Sequence, residues 1–423
     1  MKFRFFLILL LLAVKINAQQ PDASNPRSLN QAQQDSRIVA AQISTLDFEN
    51  REQLSQFFNS LKAAGVNTVI VRVFQNPGDG FYKLCAPAAQ TGYYFKTGSA
   101  PVVCDLLAVI AEEAHRSGLK IFAWMNSRYA DYGIENRSDL HSIYYDFKTK
   151  SYRPGKGLCI FHPDVQARLA GLYRDLAQYP IDGVLVQDDL MIRHNEDFSA
   201  PAVHRYYQER GKPASPALFY QGVKNGRVKN YTDAFYDWSR WKAEKLLDFA
   251  DFLRASLREK NPSVRFGFNF YYETGLKPEQ ALCWFSQDVK LASARKYDFY
   301  ALMLYHRQIK DELKLTSTGL DSALLKASDE FIFALGGQGQ PVIKLMTRDF
   351  KSSQPVPEPE LERVVKSIGA HGQSGVAFFP VWYGMEKELS NLIHDWENHD
   401  EKNSRGAGNP GDNSPRRVPA EKP

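Results

Sequence analysis

Two adjacent carboxylates, Asp188 and Asp189, directly follow Gln187 and the apolar run Val184–Val186. Adjacent acids at the end of a buried strand are costly unless they are protonated, paired or hydrogen-bonded, and their mutual repulsion raises one pKa of such a pair. A raised pKa is what a general acid needs near neutral pH. The pair could instead cap a helix or form an ion pair within a loop, but its place at a strand end favours catalysis.

Further acids, amides and aromatic residues follow other apolar runs, and together they are typical of a polysaccharide site. Glycoside cleavage needs two carboxylates, about 5–5.5 Å apart for retention or about 6.5–9.5 Å for inversion. Glu273, Asp349 and Glu196 are the candidates to partner Asp188 or Asp189. The residues predicted to bind sugars are Arg72, Trp124, Asn126, Asn269, Tyr305 and Trp382.

No metal ion or cofactor is predicted for this chain. Its nine histidines are scattered without an HEXXH or HxH motif, and the sequence has no GxSxG motif and no P-loop. The four cysteines contain no CxxC pair. Cys85 and Cys104 are the local candidates for a disulfide, with free buried thiols as the alternative.

Eight β-rich runs precede eight stretches with helical periodicity. Most of the runs are continuously apolar, which is typical of parallel strands buried on both faces. The runs are Ile38–Ser44, Thr68–Val73, Lys120–Met125, Gly183–Gln187, Val264–Asn269, Phe299–Leu304, Val342–Met346 and Gly375–Phe379. The predicted helices are Arg51–Ala64, Val102–Ser117, Asp164–Gln178, Asp237–Lys260, Pro278–Ala294, Asp321–Leu335, Glu358–Ile368 and Glu386–Trp396.

This alternation predicts an α/β fold, a (β/α)8 TIM barrel, with a doubly wound open sheet as the alternative. The segments after the second, third and fourth strands are long: Phe74–Pro101, Asn126–Pro163 and Asp188–Tyr236. Loops that follow strands emerge at the carboxyl face of a barrel, where barrel enzymes keep their sites. Four glycines (Gly65, Gly118, Gly336 and Gly369) stand where helix ends favour a left-handed residue.

The two ends of the chain differ from the middle. Residues 1–18 are predicted to be a secretory signal peptide, since Lys2 and Arg4 precede the apolar run Phe5–Val14 and Ala18 offers a cleavage site. That run is too short to span a bilayer, so we expect a secreted or periplasmic protein without stable membrane insertion, a retained anchor being the alternative. We predict a linker at residues 19–37, the barrel at 38–397 and a disordered tail at 398–423.

The charge of the predicted barrel limits the partners it could have. The formal net charge of +5 falls close to zero once the basic signal peptide and the slightly basic tail are removed. A near-neutral core argues against a nucleic-acid partner, which would require a basic face. It is compatible with a neutral or weakly charged polymer such as a polysaccharide.

A resemblance to a known family is carried by the segment IDGVLVQDDLMIRHNEDFSAPAVHRYYQ. It is similar to part of the C-terminal glycoside hydrolase domain of the periplasmic poly-β-1,6-N-acetyl-D-glucosamine N-deacetylases of biofilm systems. That family's DG–hydrophobic–HDD motif and its ED-A-S stretch fall on Asp182-Gly183, Asp188-Asp189, Glu196-Asp197 and Ser199. Similar segments in the same order, over roughly residues 38–395, are LKAAGVNTVIVRVFQNPGDG, LKIFAWMN, FNFYYETGLKPEQALCWFSQD, YDFYALMLY and GVAFFPVWY.

The resemblance implies a glycosidase-like barrel that acts on poly-β-1,6-glucosamine chains, usually partly deacetylated, with Asp188 or Asp189 as the catalytic acid. The chain departs from the family in three ways: Gln187 replaces the His before the pair, Asp47 is the one acid in the first-strand region, and the deacetylase domain is missing. Deacetylation is therefore not predicted. A non-catalytic polysaccharide-binding barrel and a transglycosylase are the alternatives to a hydrolase.

Overall fold

The fold is given by a computed structural model that describes residues 37–368 and 374–406. The predicted signal peptide, the linker up to residue 36 and the glycine at position 369 lie outside the described residues. The last helix, Glu386–Gly406, continues past residue 397, where the tail was predicted to begin. The rest of the predicted tail, residues 407–423, also lies outside the described residues.

Eight parallel strands close into a barrel, which confirms the predicted (β/α)8 fold. Each strand pairs with the next one in sequence, and the last pairs with the first. The strands are β1 Val39–Ile43, β2 Thr68–Arg72, β3 Lys120–Met125, β4 Gly183–Val186, β5 Arg265–Tyr271, β6 Phe299–Met303, β7 Gln340–Met346 and β8 Gly375–Phe379. All eight overlap the predicted runs, because strands that are buried on both faces consist largely of apolar residues.

Helices follow the strands along the chain, as the sequence predicts. They are Arg51–Ala63, Leu107–Arg116, Pro163–Leu176, Ala200–Arg210, Pro216–Phe219, Asp233–Arg258, Glu273–Leu276, Pro278–Phe285, Val289–Ser293, His306–Leu313, Ser317–Leu335, Glu358–Ile368 and Glu386–Gly406, with a 3-10 turn at Ser138–Leu140. Three of the four glycines predicted to end helices, Gly65, Gly118 and Gly336, have a positive φ and follow helices. They stand at the predicted helix ends, because glycine adopts the left-handed conformation without strain.

One predicted helix, Pro278–Ala294, is wrong as a single element. It ends at Phe285, where Ser286 takes a left-handed φ of 54°. Tertiary hydrogen bonds hold the chain there: the Ser286 hydroxyl donates to the Ile192 carbonyl, and the Gln287 side chain bonds the backbone of β5. Contacts with distant segments thus outweigh the local helical periodicity.

Another predicted helix, Val102–Ser117, begins late, at Leu107. Residues 102–106 belong to a loop instead, because the Val103 amide donates to the Tyr93 carbonyl and Cys104 forms a disulfide with Cys85. The predicted disulfide is therefore present. The other two cysteines, Cys159 and Cys283, are free and buried.

The amino end of the barrel is filled by side chains. The rings of Phe122 and Phe299 lie 5.3 Å apart in the barrel interior, within a cluster of buried apolar residues. A Cβ atom added to Gly183 would lie 2.7 Å from the Phe122 ring, so the glycine makes room for that ring. A ligand therefore has to approach the barrel from its carboxyl face.

The three long loops at the carboxyl face each carry a small antiparallel sheet. Phe74–Gln75 pairs with Gly92–Tyr93, His141–Asp146 with Ser151–Leu158, and Tyr220–Gln221 with Asn230–Tyr231. These sheets give the loops after β2, β3 and β4 regular structure of their own. Among the described residues, no helix has the length and apolarity needed to cross a membrane.

Candidate active site

A cleft of about 260 Å³ opens at the carboxyl face of the barrel. Its lining side chains come from the ends of most strands and from the segments that follow them. They are Gln42, Trp124, Asp188, Asn269, Tyr271, Tyr272, Met303, Tyr305, Gln308, Lys344, Phe350 and Phe379. Aromatic walls with a few polar groups are the usual construction of a sugar-binding cleft.

Asp188 presents its carboxylate to this cleft. The residue follows β4 and is half-buried, and the Tyr271 hydroxyl donates a hydrogen bond to its Oδ2 atom at 3.3 Å. The Tyr271 ring is itself held by stacking on Phe285, with ring centroids 4.3 Å apart. Asp188 is the one acidic residue among those that line the cleft. It is therefore placed to exchange a proton with a bound ligand.

Asp189 has a different environment from its neighbour. It is 1% exposed, and its carboxylate accepts hydrogen bonds from the Ser127 amide (2.8 Å), the Ser127 hydroxyl (2.8 Å) and the Tyr129 amide (2.7 Å). Burial raises its pKa to about 6, although these donors stabilise the charged form and oppose the rise. Asp189 thus fastens the loop after β3 to the end of β4, and it does not line the cleft.

Lys344 is a site residue that the sequence analysis missed. It lies on β7, is 2% exposed, and donates from Nζ to Asn269 Oδ1 at 2.8 Å. The Asn269 amide in turn donates to the Val186 carbonyl at 3.2 Å. Burial lowers the pKa of Lys344 to about 7, while the charge of Asp188 acts to raise it. A single lysine inside the apolar strand was the signal that could have identified it.

Gln42, on β1, is a second site residue that was not predicted from the sequence. It is a single polar residue in the strand sequence VAAQI, and its side chain is fully buried at the cleft. A polar residue in an otherwise apolar barrel strand costs stability unless it is satisfied by a partner.

The other predicted carboxylates are not among the side chains that line the cleft with Asp188. Glu273 is 4% exposed on the short helix after β5 and does not line the cleft. Asp349 forms an ion pair with Arg307 at 3.0 Å. Glu196 lies 3.2 Å from the buried Arg128 guanidinium. Asp349 and Glu196 are thus paired with arginines, and neither lines the cleft.

Three of the six predicted sugar-binding residues line the cleft, namely Trp124, Asn269 and Tyr305. The other three have partners elsewhere. The Arg72 side chain forms an ion pair with Asp79 and donates to the Gly80 carbonyl. Asn126 accepts from the Tyr93 hydroxyl at 2.8 Å and donates to the Tyr129 carbonyl at 3.1 Å. The Trp382 ring packs under the Arg348 guanidinium, 4.4 Å from its centroid. Through these contacts Arg72 and Asn126 stabilise the loops after β2 and β3.

Glu273 leads to a prediction about stability. Burial raises its pKa to about 7, with a further contribution from Glu312. The folded protein therefore holds a proton between about pH 4.3 and pH 7 that the unfolded chain releases, so the free energy of unfolding falls as pH rises through this window. We expect Glu273→Gln to remove this dependence and to stabilise the protein by about 3 kcal/mol above pH 7.

Urea unfolding at pH 5 and pH 8 measures this effect. Glu279→Gln, a change at an exposed glutamate on the next helix, is the matched control and should leave the pH dependence unchanged. A Glu273→Gln protein that loses stability between pH 5 and pH 8 as the wild type does would contradict the expectation.

Within the described residues, no group of three or more His, Cys, Asp or Glu side chains is arranged to hold a metal ion.

Comparison with known proteins places the chain in a family. The family model described as "Hypothetical glycosyl hydrolase family 13" matches residues 46–379. The poly-β-1,6-N-acetyl-D-glucosamine N-deacetylase of Escherichia coli K12 is 26% identical over 287 residues, which are 63% of this chain and 38% of the relative. The same protein of Escherichia coli O157:H7 matches equally well. The chain thus spans well under half the length of these curated relatives.

Solved structures share the barrel. The PgaB (BpsB) glycoside hydrolase domain from Bordetella bronchiseptica is 20% identical, with a TM-score of 0.65 over 84% of this chain and 99% of that domain. A β-galactosidase from Bacillus circulans sp. alkalophilus is 13% identical, with a TM-score of 0.57 over 86% of this chain and 57% of that enzyme. At these identities the structures establish the common fold. Because the family model covers most of the sequence, the chain belongs to hypothetical glycosyl hydrolase family 13.

Proposed function

We propose that the protein hydrolyses glycosidic bonds in partially deacetylated poly-β-1,6-N-acetylglucosamine, with Asp188 as the general acid. The observation that carries the proposal is the position of Asp188 at the end of β4, facing an aromatic cleft and hydrogen-bonded to Tyr271. The substrate is suggested by the curated relatives, which are named for this polymer. The structural match is to a glycoside hydrolase domain, so deacetylation is not part of the proposal.

The proposed reaction uses the side chains of the cleft directly. Asp188 gives its proton to the leaving oxygen as the bond between that oxygen and the anomeric carbon breaks. Water then adds to that carbon as its new hydroxyl group, and the proton that this water loses returns to the Asp188 carboxylate. Trp124, Tyr305 and Phe379 are positioned to pack against the apolar faces of sugar rings. Tyr271 orients the acid through its hydroxyl group.

The protein is proposed to act outside the cytoplasm. We propose that residues 1–18 direct export, that residues 38–397 act as the barrel enzyme, and that the protein works in the periplasm or outside the cell. The disulfide between Cys85 and Cys104 supports an oxidising compartment, because cytosolic thiols are kept reduced.

The test is mass spectrometry of partially deacetylated poly-β-1,6-N-acetylglucosamine after incubation with the protein. We expect a series of shorter oligomers, together with new reducing ends. A polymer that binds the protein yet stays intact would favour the non-catalytic binding barrel instead. Products longer than the starting oligomers would indicate transglycosylation.

A further inference from the structure

Polar atoms at the cleft lack partners among the described residues. The Gln42 side chain is 0% exposed, and neither its Nε2 nor its Oε1 atom has a hydrogen-bond partner. The indole Nε1 of Trp124 is likewise buried and unpartnered. Both residues line the cleft. Buried polar groups are nearly always hydrogen-bonded, so these atoms mark positions where a polar group of a ligand can bind.

The charges at the cleft limit what that polar group can be. Asp188 and Lys344 are the charged side chains among the lining residues, and they have opposite signs. A protonated amine near Lys344 would be repelled by its ammonium group, and a carboxylate near Asp188 would be repelled in the same way. Beside Lys344 the cleft therefore disfavours a protonated amine, and a neutral substituent is the form that an amino sugar can present there.

The hydrogen-bonding groups of Gln42 indicate which neutral substituent of the sugar can bind. A glutamine side chain offers a carbonyl acceptor and an N–H donor next to each other, which is the complement of another amide. The Trp124 indole and Lys344 add further donors for a carbonyl oxygen, and Met303 and Phe379 supply apolar surface in the same cleft. An N-acetyl group has these parts: an N–H donor, a carbonyl acceptor and a methyl group.

We propose that Gln42, together with Trp124 and Lys344, binds the N-acetyl group of the sugar in this cleft and selects against a sugar with a free amine there. Gln42 is the residue that determines this specificity. The inference rests on the proposed function, since it assumes that the ligand is an amino sugar. It goes further by assigning the acetylation state of one bound unit.

The decisive variant is Gln42→Glu, which keeps the size of the side chain and adds a negative charge. Two synthetic β-1,6-linked glucosamine trisaccharides, one fully N-acetylated and one with free amines, serve as probes in isothermal titration calorimetry. We expect the wild-type protein to bind the acetylated trisaccharide about tenfold more tightly, and Gln42→Glu to reverse the preference, because a carboxylate attracts an ammonium group.

Two further variants make the result specific. Gln42→Leu removes both polar atoms and should weaken binding of the acetylated trisaccharide about tenfold without improving binding of the amine. Gln338→Glu introduces the same charge at an exposed position that precedes β7, at the opposite end of the barrel, and should behave as the wild type. Circular dichroism establishes that each variant is folded.

Binding and cleavage separate this inference from the proposed function. Selective binding that Gln42→Glu reverses, with no cleavage of the polymer, would support the assignment of Gln42 and overturn the hydrolase. Cleavage without regard to acetylation, and equal binding of both trisaccharides by the wild type, would overturn the assignment and keep the hydrolase. Failure to bind either trisaccharide also overturns it.

Discussion

Asp188→Asn is expected to lower kcat for polymer cleavage about a thousandfold, which is within the range that a general acid contributes. Asparagine has nearly the same shape and retains an oxygen that can accept the hydrogen bond from Tyr271, but it has no proton to give to the leaving oxygen. The thermal unfolding midpoint should stay close to that of the wild type. Release of reducing ends over time measures the rate.

Two comparisons show whether Asp188 acts as an acid. An aryl glycoside with a good leaving group needs little protonation, so Asp188→Asn should lose much less activity on it than on the polymer. Asp349→Asn, at the acid held by Arg307 away from the cleft, should keep kcat near the wild-type value. If Asp349→Asn were inactive and Asp188→Asn active, the assignment of the catalytic acid would be wrong.

Asp189→Ala is expected to have its largest effect on stability. The substitution leaves the amides of Ser127 and Tyr129 buried without their acceptor, so we expect the free energy of unfolding to fall by about 3 kcal/mol. Activity should fall as well, because the loop after β3, which continues from the cleft residue Trp124, loses its attachment to β4. Chemical denaturation with the disulfide intact measures the change.

A milder variant separates the two roles of the acid pair. Asp189→Asn keeps one oxygen acceptor and should be destabilised less than Asp189→Ala. At a temperature where it is fully folded, it should also cleave the polymer much faster than Asp188→Asn does. A stable but inactive Asp189→Asn protein would show instead that Asp189 is the acid that takes part in the chemistry.

The barrel could be predicted from the sequence because its strands are buried on both faces. Such strands form continuous apolar runs, and the predicted bounds of Lys120–Met125 and Gly375–Phe379 are those of the structure. Helix ends were predictable where a glycine stands at the turn, as at Gly65. Local periodicity failed over Pro278–Ala294, because the contact between Ser286 and Ile192 joins segments 94 residues apart.

In the candidate site too, some features follow from the local sequence and others depend on contacts between distant segments. The sequence by itself determined that two acids follow a buried strand, and that Trp124, Asn269 and Tyr305 stand near strand ends. It could not show which acid faces the cleft, since beyond β4 the direction of each side chain depends on its partners. The Asp189 carboxylate instead accepts hydrogen bonds from amides of the loop after β3, which lie 60 to 62 residues earlier in the chain.

Only the tertiary structure identified Gln42 and Lys344. Each is a polar residue between apolar neighbours in a barrel strand, and alternation alone does not say whether such a residue points to the cleft or to the surrounding helices. Closure of the barrel decides this, because it places Lys344 beside Asn269, 75 residues earlier in the sequence. The fold follows from patterns within each segment, whereas the chemistry of the cleft follows from contacts between segments that are distant in sequence.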